Sequence, residues 1–376
     1  MKYQVTHRTA YRYDKPVSLG YNLARLTPRT YPGQVCHDSR TGIDPVPDDL
    51  STRTDTFGNE ITWFSIERPH DHLEVTAVSE VTVEGEPAAL LLAASQRWDE
   101  VRETLRGSNA PDVLEARPYV LPSPLVPVIH GLDVFAAESF PPDRPLVDAV
   151  IDLMSRVHRE FTYDPGFTSV ATPLAEVLAH RRGVCQDFAH LAIACLRSQG
   201  LAARYVSGYL ETRPPPGKER LEGADASHAW FSVFVPAVGW IDLDPTNDQA
   251  VGERHITLGW GRDYRDVAPL VGVLYGSGAG QRLDVAVDVV PEKLDLARSL
   301  GAEATVDARK GDVGAAVRDI TGGGAHVSVE AAGLAATANA SLASLRPLGR
   351  HVQVGMPIGH TARMEIDMNA VFMKNL

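Results

Sequence analysis

Aromatic residues are nearly missing from the last quarter of the chain. Of the 26 Phe, Trp and Tyr residues in the 376-residue sequence, only Phe372 lies beyond residue 283, and only three of the 26 prolines lie there. A single domain does not change its packing residues so sharply. The composition therefore predicts two segments of separate origin, joined near Arg282.

Other absences exclude several classes of protein. The sequence has no apolar run near 18 residues and no signal-peptide core, so we expect neither a membrane span nor a leader. A net charge of −12 with scattered Lys and Arg argues against nucleic-acid binding. Cys36, Cys185 and Cys195 are an odd number in unrelated contexts, which is typical of a reducing cytoplasm and not of a disulfide framework. We therefore expect a cytoplasmic globular protein that uses no membrane or nucleic-acid partner.

Hydrophobic periodicity divides the chain into four segments. Residues 1–85 alternate apolar and polar positions, which predicts an N-terminal antiparallel β domain, as a sandwich or a small barrel. Residues 86–141 mix short helical stretches with Pro-marked loops and are predicted to connect domains. Residues 142–282 carry three helical patterns followed by strands, which predicts an α+β core. Residues 283–376 form the fourth segment.

Cys185 opens the third predicted helix of the core. The free N–H groups and the positive dipole end of a helix stabilise a thiolate and can hold an oxyanion. A lone cysteine before an apolar helix is more often a core residue, and Cys195, on the apolar face of the same helix, fits that description. Cys185 is therefore a candidate nucleophile only if a base that can take its proton lies nearby.

His228 and Asp244 follow Cys185 in the order of an activated-thiol triad. His228 lies 43 residues after Cys185 on one predicted strand, and Asp244 lies 16 residues further on the next strand. Such a histidine takes the thiol proton, and the aspartate holds the imidazole in the right tautomer. A four-residue turn would put Asp244 on the wrong face, so we expect an odd-length turn or a bulge at Gly239. Asp242 shares the parity of Asp244 and is the weaker alternative.

These residues resemble the bacterial transglutaminase-like proteins, relatives of papain-type thiol enzymes. The likeness rests on Gly183–His190, on Ser227-His228-Ala229-Trp230 and on Gly239–Asn247, within about the first 280 residues. It implies Cys185 as nucleophile, His228 as base and Asp244 as orienting acid in a papain-like core. It also implies acyl transfer or hydrolysis on a peptide or protein substrate through a thioester, without cofactor or metal. Hydrolysis and cross-linking stay open, and a non-catalytic binding scaffold is the alternative.

The tail, residues 283–376, has a βαβα rhythm that predicts a parallel sheet. It resembles the nucleotide-binding domain of medium-chain alcohol dehydrogenases, in which Asp288, at a strand end, would bind the adenosine ribose. Gly276–Gly280 precedes Asp288 by only 8 to 12 residues, which leaves no room for the pyrophosphate-binding helix.

We therefore predict an incomplete Rossmann-like fragment that binds no dinucleotide, which makes an NAD(P)-dependent dehydrogenase the third and weakest function. A borrowed strand such as Leu270–Tyr275 would be needed to complete its sheet. Removing residues 284–376 should leave the thiol activity largely intact.

Overall fold

A computed structural model describes residues 1–84, 96–168, 172–212, 226–276, 280–291, 301–306, 312–331, 335–354 and 371. The contacts of the chain separate a first compact unit, which ends at Pro291, from a second unit that follows it. None of the helices in these ranges has the length and apolar character that crossing a membrane requires. The sequence between residues 211 and 225 is polar and rich in proline, which makes it a candidate lid, and residues 213–225 lie outside the described residues.

The N-terminal segment forms antiparallel strands, as its alternation predicts. The first five strands are β1 (Lys2–Ala24), β2 (Gln34–Asp44), β3 (Asp49–Thr54), β4 (Glu60–Ile66) and β5 (His70–Val83). Their order in the sheet is β2-β5-β1-β4-β3. The long β1 pairs with β5 through its first half and with β4 through its second half. The prediction of antiparallel pairing is confirmed, and the strands form one hydrogen-bonded sheet.

Seven α-helices and seven strands follow the N-terminal strands in the described ranges of the first unit, before two last strands that are described below. The helices are α1 (Trp98–Gly107), α2 (Pro111–Ala116), α3 (Leu132–Ala137), α4 (Leu146–Glu160), α5 (Leu174–His180), α6 (Cys185–Ser198) and α7 (Tyr264–Val267). The core strands are β6 (Thr162–Tyr163), β7 (Arg182–Gly183), β8 (Ala203–Leu210), β9 (Ala226–Val235), β10 (Gly239–Asp244), β11 (Gln249–Ala250) and β12 (His255–Gly261). The larger sheet has the order β11-β10-β9-β8-β12, and β6 pairs with β7.

One hydrophobic core joins the helices to this sheet. Residues of α6 from Phe188 to Leu196 are buried and pack against Ala229, Phe231 and Val233 of β9. Trp98 of α1 and Leu132 of α3 belong to the same cluster. Residues 98–137 are thus part of the core and not a separate connector. A short 3₁₀ helix, Arg117–Val120, completes this layer.

Two later strands return to the N-terminal sheet. They are β13 (Leu270–Gly276) and β14 (Gln281–Pro291), and both pair antiparallel with β1. The interpretation of 283–289 as a strand of a parallel sheet is therefore wrong. Asp288 lies within β14 opposite Thr6, not at the end of a parallel strand. Leu270–Tyr275 likewise pairs with β1 and therefore does not complete a second sheet.

The second unit keeps part of the predicted rhythm. Its described elements are α8 (Val313–Thr321), β15 (Ala325–Glu330), α9 (Ala335–Ala343) and β16 (Leu345–Gln353). The strands β15 and β16 pair in parallel, as predicted. The βαβα rhythm of the sequence also predicts a helix over 291–300 and a strand at 304–306; the strand does not form, and the helix lies outside the described residues except for Pro291.

Candidate active site

The first turn of α6 is tied down by a carboxylate that reaches back to the residue before the helix. The Val184 N–H donates to Asp187 Oδ2 at 2.8 Å, and the Thr168 hydroxyl donates to the same oxygen at 2.7 Å. A methyl group on Gly183 would lie 2.8 Å from Asp187 Cβ, so this close approach needs a glycine. The motif Gly183-Val184-Cys185-Gln186-Asp187 thus fixes where the helix begins and places Cys185 at its first position.

Two of the three cysteines have surroundings that suit a structural role better than a reactive one. Cys195 is fully buried, and burial raises the pKa of its thiol. Burial, followed by the charges of Glu60 and Asp38, also raises the pKa of Cys36. Cys185 is half-buried, and its side chain is one of the groups that raise the pKa of His228.

The turn between β9 and β10 decides which aspartate can reach His228. Val235 pairs with Gly239 and Trp240 pairs with Phe234, so the strands are joined by a three-residue turn. In that turn Ala237 has φ 62°, and Gly239 follows with φ 106°, a conformation that favours glycine. This register puts Asp244 on the same face as His228. The prediction of an odd-length turn is confirmed.

His228 and Asp244 form a buried pair on one face of the core sheet, from the adjacent strands β9 and β10. His228 Nε2 lies 2.8 Å from Asp244 Oδ2, and the two residues are 8% and 0% exposed. Burial, the largest single influence, would lower the pKa of His228. The hydrogen bonds to Asp244 and Cys185, with their charges, outweigh it and raise the pKa to about 10. Since Nε2 faces Asp244, the thiol of Cys185 must meet the other ring nitrogen, Nδ1.

Asp244 is surrounded by donors on both carboxylate oxygens. Oδ2 accepts from Asn247 Nδ2 at 2.7 Å and lies 3.2 Å from His255 Nε2, in addition to its contact with His228. Oδ1 accepts from the backbone N–H groups of Thr246 at 2.9 Å and Asn247 at 3.3 Å. Burial would raise the pKa of Asp244, but the hydrogen bonds from His228 and His255 hold it well below its usual range. Asp244 is therefore the stable anion of this cluster.

Asp242, the weaker sequence candidate, has other partners. Its carboxylate accepts from the Ser232 hydroxyl, and the guanidinium of Arg204 is its nearest opposite charge. Burial raises the pKa of Asp242, with Arg204 and Ser232 acting in the other direction. The structure thus brings together Cys185, His228 and Asp244, and leaves Asp242 outside that contact.

Trp230 packs behind the two histidines. Its ring centroid lies 6.1 Å from that of His228 and 5.3 Å from that of His255. A methyl group on Gly208 of the neighbouring strand would lie 2.3 Å from Trp230, so glycine opens the space for the indole. The strand alternation that places His228 therefore also supplies its apolar support.

Sequence reasoning missed His255 and the role of Asn247. Asn247 stands in the Asp244-Pro245-Thr246-Asn247 stretch, so its proximity to Asp244 was available from the motif. His255 comes from β12, at the far edge of the sheet, and no spacing rule links it to Asp244. Atoms of His228, Asp244 and His255 lie within 4.8 Å of one another and could hold a metal ion. The 2.8 Å contact of His228 with Asp244 is a hydrogen-bond separation, which suits a shared proton.

Family comparisons match three parts of the chain. The bacterial transglutaminase-like N-terminal region matches residues 3–82, and the transglutaminase-like superfamily matches residues 135–245. An uncharacterised protein of Mycobacterium tuberculosis is 47% identical over 298 residues, which are 77% of this chain and 93% of that protein. The chain belongs to the transglutaminase-like superfamily. The resemblance stated from the sequence is confirmed.

A solved structure shows the same fold. The structure of a candidate cysteine protease from Cytophaga hutchinsonii has a TM-score of 0.59 to this chain at 18% identity. The match covers 76% of this chain and 90% of that one. At this identity the likeness concerns the fold alone, and it confirms an α+β architecture with a papain-like core.

The tail has a different source. The zinc-binding dehydrogenase family matches residues 277–376. Erythritol/L-threitol dehydrogenase of Mycolicibacterium smegmatis is 36% identical over 88 residues, which are 23% of this chain and 24% of that enzyme. The chain therefore spans about a quarter of this relative, and the resemblance of the tail to a part of a dehydrogenase is confirmed.

Proposed function

We propose that the protein is a thiol enzyme that cleaves or exchanges a carboxamide or peptide bond through Cys185, His228 and Asp244. One observation carries this proposal: His228 contacts Asp244 at 2.8 Å through Nε2, and the helix that begins with Cys185 packs against the strand that carries His228. The substrate is a peptide or protein. Three free cysteines suit a reducing compartment, so we assign the reaction to the cytoplasm.

The reaction begins when His228 holds the proton of the Cys185 thiol. The sulfur attacks the carbonyl carbon of the substrate, and a C–S bond forms as the carbonyl oxygen becomes an oxyanion. The first N–H groups of α6, including that of Cys185, are the natural donors to that oxyanion because no preceding turn of helix uses them. His228 then gives its proton to the leaving nitrogen, and the C–N bond breaks to leave a thioester.

The thioester is resolved by a second nucleophile. Water or a primary amine attacks the carbonyl, His228 takes its proton, and the C–S bond breaks to restore the thiolate. Water gives the carboxylic acid, and an amine gives a new amide. Asp244 stays ionised throughout, because its depressed pKa leaves the carboxylate unprotonated at neutral pH. Its function is to hold the tautomer and orientation of His228.

A peptide-library digestion read by mass spectrometry tests this function. The library is incubated with wild-type protein and with Cys185→Ala, with and without a primary amine. Cleaved or deamidated peptides that depend on Cys185 support hydrolysis, and amine-linked products support transfer. If wild-type and Cys185→Ala proteins give the same product spectrum, the enzymatic proposal fails and a binding scaffold takes its place.

For the tail we propose no dinucleotide binding. Asp288 lies in β14 of the first unit, paired with β1, and the sequence before it lacks the glycine turn and helix that bind pyrophosphate. Calorimetric titration with NAD and NADP tests this proposal. Saturable binding that Asp288→Ala weakens would overturn it.

A further inference from the structure

His255 makes a direct contact with the proposed active site that the triad does not require. Its Nε2 lies 3.2 Å from Asp244 Oδ2, the oxygen that also contacts His228. The ring is 3% exposed and stands edge-on to Trp230 at 5.3 Å and 81°. Two imidazoles from opposite parts of the sheet therefore meet on one carboxylate oxygen.

The backbone around His255 determines which of its nitrogens carries hydrogen. The Gly252 N–H donates to His255 Nδ1 at 3.3 Å, and the His255 N–H donates to the Gly252 carbonyl at 3.0 Å. An N–H donor at Nδ1 requires that nitrogen to be an acceptor. The hydrogen then sits on Nε2 and points at Asp244. This short turn thus fixes both the position of the ring and its tautomer.

We propose that His255 is a positioning residue of the reaction, acting through Asp244 on the tautomer and orientation of His228. This inference rests on the proposed function. The Nε2–H of His255 holds Asp244 Oδ2 in place. The fixed Oδ2 in turn orders the His228 ring, so that Nδ1 stays free to take the thiol proton from Cys185.

The other polar groups near Asp244 belong to its own strand, to the turn that follows it and to the neighbouring strands. Asn247 donates to Oδ2, the backbone of Thr246 and Asn247 donates to Oδ1, and Asp242 is a second carboxylate on the same face of β10. Asn247, in the turn after β10, donates to Asp244 both from its side chain and from its backbone N–H group. Among the described residues, His255 contacts Oδ2 from β12, on the far side of the sheet. A loss of His255 therefore releases the carboxylate on a side that Asn247 does not cover.

Two substitutions separate the donor from the space that the ring fills. The amide nitrogen of His255→Gln can occupy the place of Nε2, whereas the side chain of His255→Asn reaches only to the place of Nδ1. A control is His7→Asn, because His7 is 1% exposed and bonds Tyr209 at 2.9 Å and Thr9 at 2.8 Å, away from Asp244. The control measures the cost of removing a buried imidazole as such.

The readouts are kcat, KM and the rate at which iodoacetamide alkylates Cys185. A hydrogen bond to a charged group corresponds to roughly a 10- to 100-fold change in rate, so His255→Asn should lower kcat and alkylation by about that factor. KM should be unchanged, His255→Gln should recover most of the rate, and His7→Asn should match the wild type. Equal rates for wild type and His255→Asn would overturn the proposal. The proposal would also be overturned if both His255 variants lost the same amount of kcat and alkylation rate, in proportion to their loss of thermal stability.

Two further measurements keep the proposal separate from the proposed function and from a metal site. The low-field proton resonance of the His228–Asp244 contact needs no turnover, and it should shift in His255→Asn but not in His255→Gln. Slow alkylation of Cys185 in the wild type defeats the proposed function, and an unmoved resonance defeats the role of His255. If EDTA abolishes alkylation and Zn²⁺ restores it, the cluster is a metal centre and the positioning role is wrong.

Discussion

Replacing Asp244 by asparagine should invert the tautomer of His228, and the donors around the carboxylate explain why. Oδ1 accepts from two backbone N–H groups, those of Thr246 and Asn247. These donors cannot change their chemistry, whereas at Oδ2 the amide of Asn247 can rotate and the imidazole of His228 can change its tautomer. The amide oxygen of Asp244→Asn will therefore take the Oδ1 position, and its NH₂ group will take the position of Oδ2.

An NH₂ group at that position faces His228 Nε2 as a donor. The imidazole must then accept at Nε2 and carry its hydrogen on Nδ1, the nitrogen that should receive the proton of Cys185. The variant loses both the charge and the correct tautomer. Loss of charge alone would slow the reaction about 10-fold, and inversion of the tautomer in a Ser-His-Asp triad costs about 10⁴-fold. We expect a fall in kcat of about 10³- to 10⁴-fold.

The assay compares Asp244→Asn with Asp242→Asn, which alters a half-buried carboxylate on the same strand and face. Turnover and alkylation of Cys185 should collapse in the first variant and stay near wild type in the second. Nitrogen NMR of His228 should show hydrogen on Nδ1 in Asp244→Asn. Thermal melting must show that both variants are folded. The reasoning is refuted if Asp244→Asn loses less than about 10-fold, or if Asp242→Asn is the damaging change.

Three further outcomes follow from the same contacts. Iodoacetamide should alkylate Cys185 before Cys195 and Cys36, and peptide mass spectrometry would contradict this by finding Cys195 modified first. Gly183→Ala forces a methyl group to 2.8 Å from Asp187. Denaturant unfolding should therefore show that the free energy of unfolding falls by about 1–2 kcal/mol, the contribution of a helix cap. Gly107→Ala is the control, because its methyl group meets nothing within 4 Å. The folded pKa of His228, about 10, lies above the ordinary 6.5. Its contribution to stability is therefore complete below pH 6.5 and disappears as the pH rises through 10, so the stability difference between wild type and His228→Gln should shrink over that range.

The positions of Cys185, His228 and Asp244 could be predicted from sequence because each of them depends on local rules. A cysteine after Gly183 marks the helix start, and strand alternation fixes the face of His228. The parity of Asp244 follows once the turn has an odd length, and the glycine at 239 signalled that option. These inferences need only period-2 counting and the chemistry of a helix terminus.

His255 could not be predicted in the same way. Its distance from Asp244 depends on the order of strands in the sheet, in which β12 and β10 lie on opposite sides of β8 and β9. It also depends on a register shift between Thr257 and Gly259. Neither property is written in the periodicity of β12. Long-range contacts of this kind appear only when the sheet topology is known.

The strand β14 shows a second limit of prediction from sequence, because the apolar pattern of a strand does not identify the strand with which it pairs. Six of the eight residues in the run Leu283–Val290 are apolar, a composition that suits a buried parallel strand. In the structure it pairs antiparallel with β1, and Leu283 and Val285 are 52% and 46% exposed. Val287 and Val289 are buried in a cluster with Tyr209 and Ile256 of the core sheet.

The junction between the two sources therefore lies inside the N-terminal sheet, and this changes the truncation that the sequence suggested. Removing residues 284–376 would take away most of β14, whose eleven residues pair with β1, and would uncover the Tyr209 cluster. Ending the chain after Pro291 keeps that strand and removes only residues 292–376, which belong to the second unit. We expect the longer chain to melt and turn over like the full protein and the shorter chain to melt earlier, measured by calorimetry and by alkylation of Cys185. Equal stability of the two truncated chains would show that β14 adds nothing to the thiol enzyme.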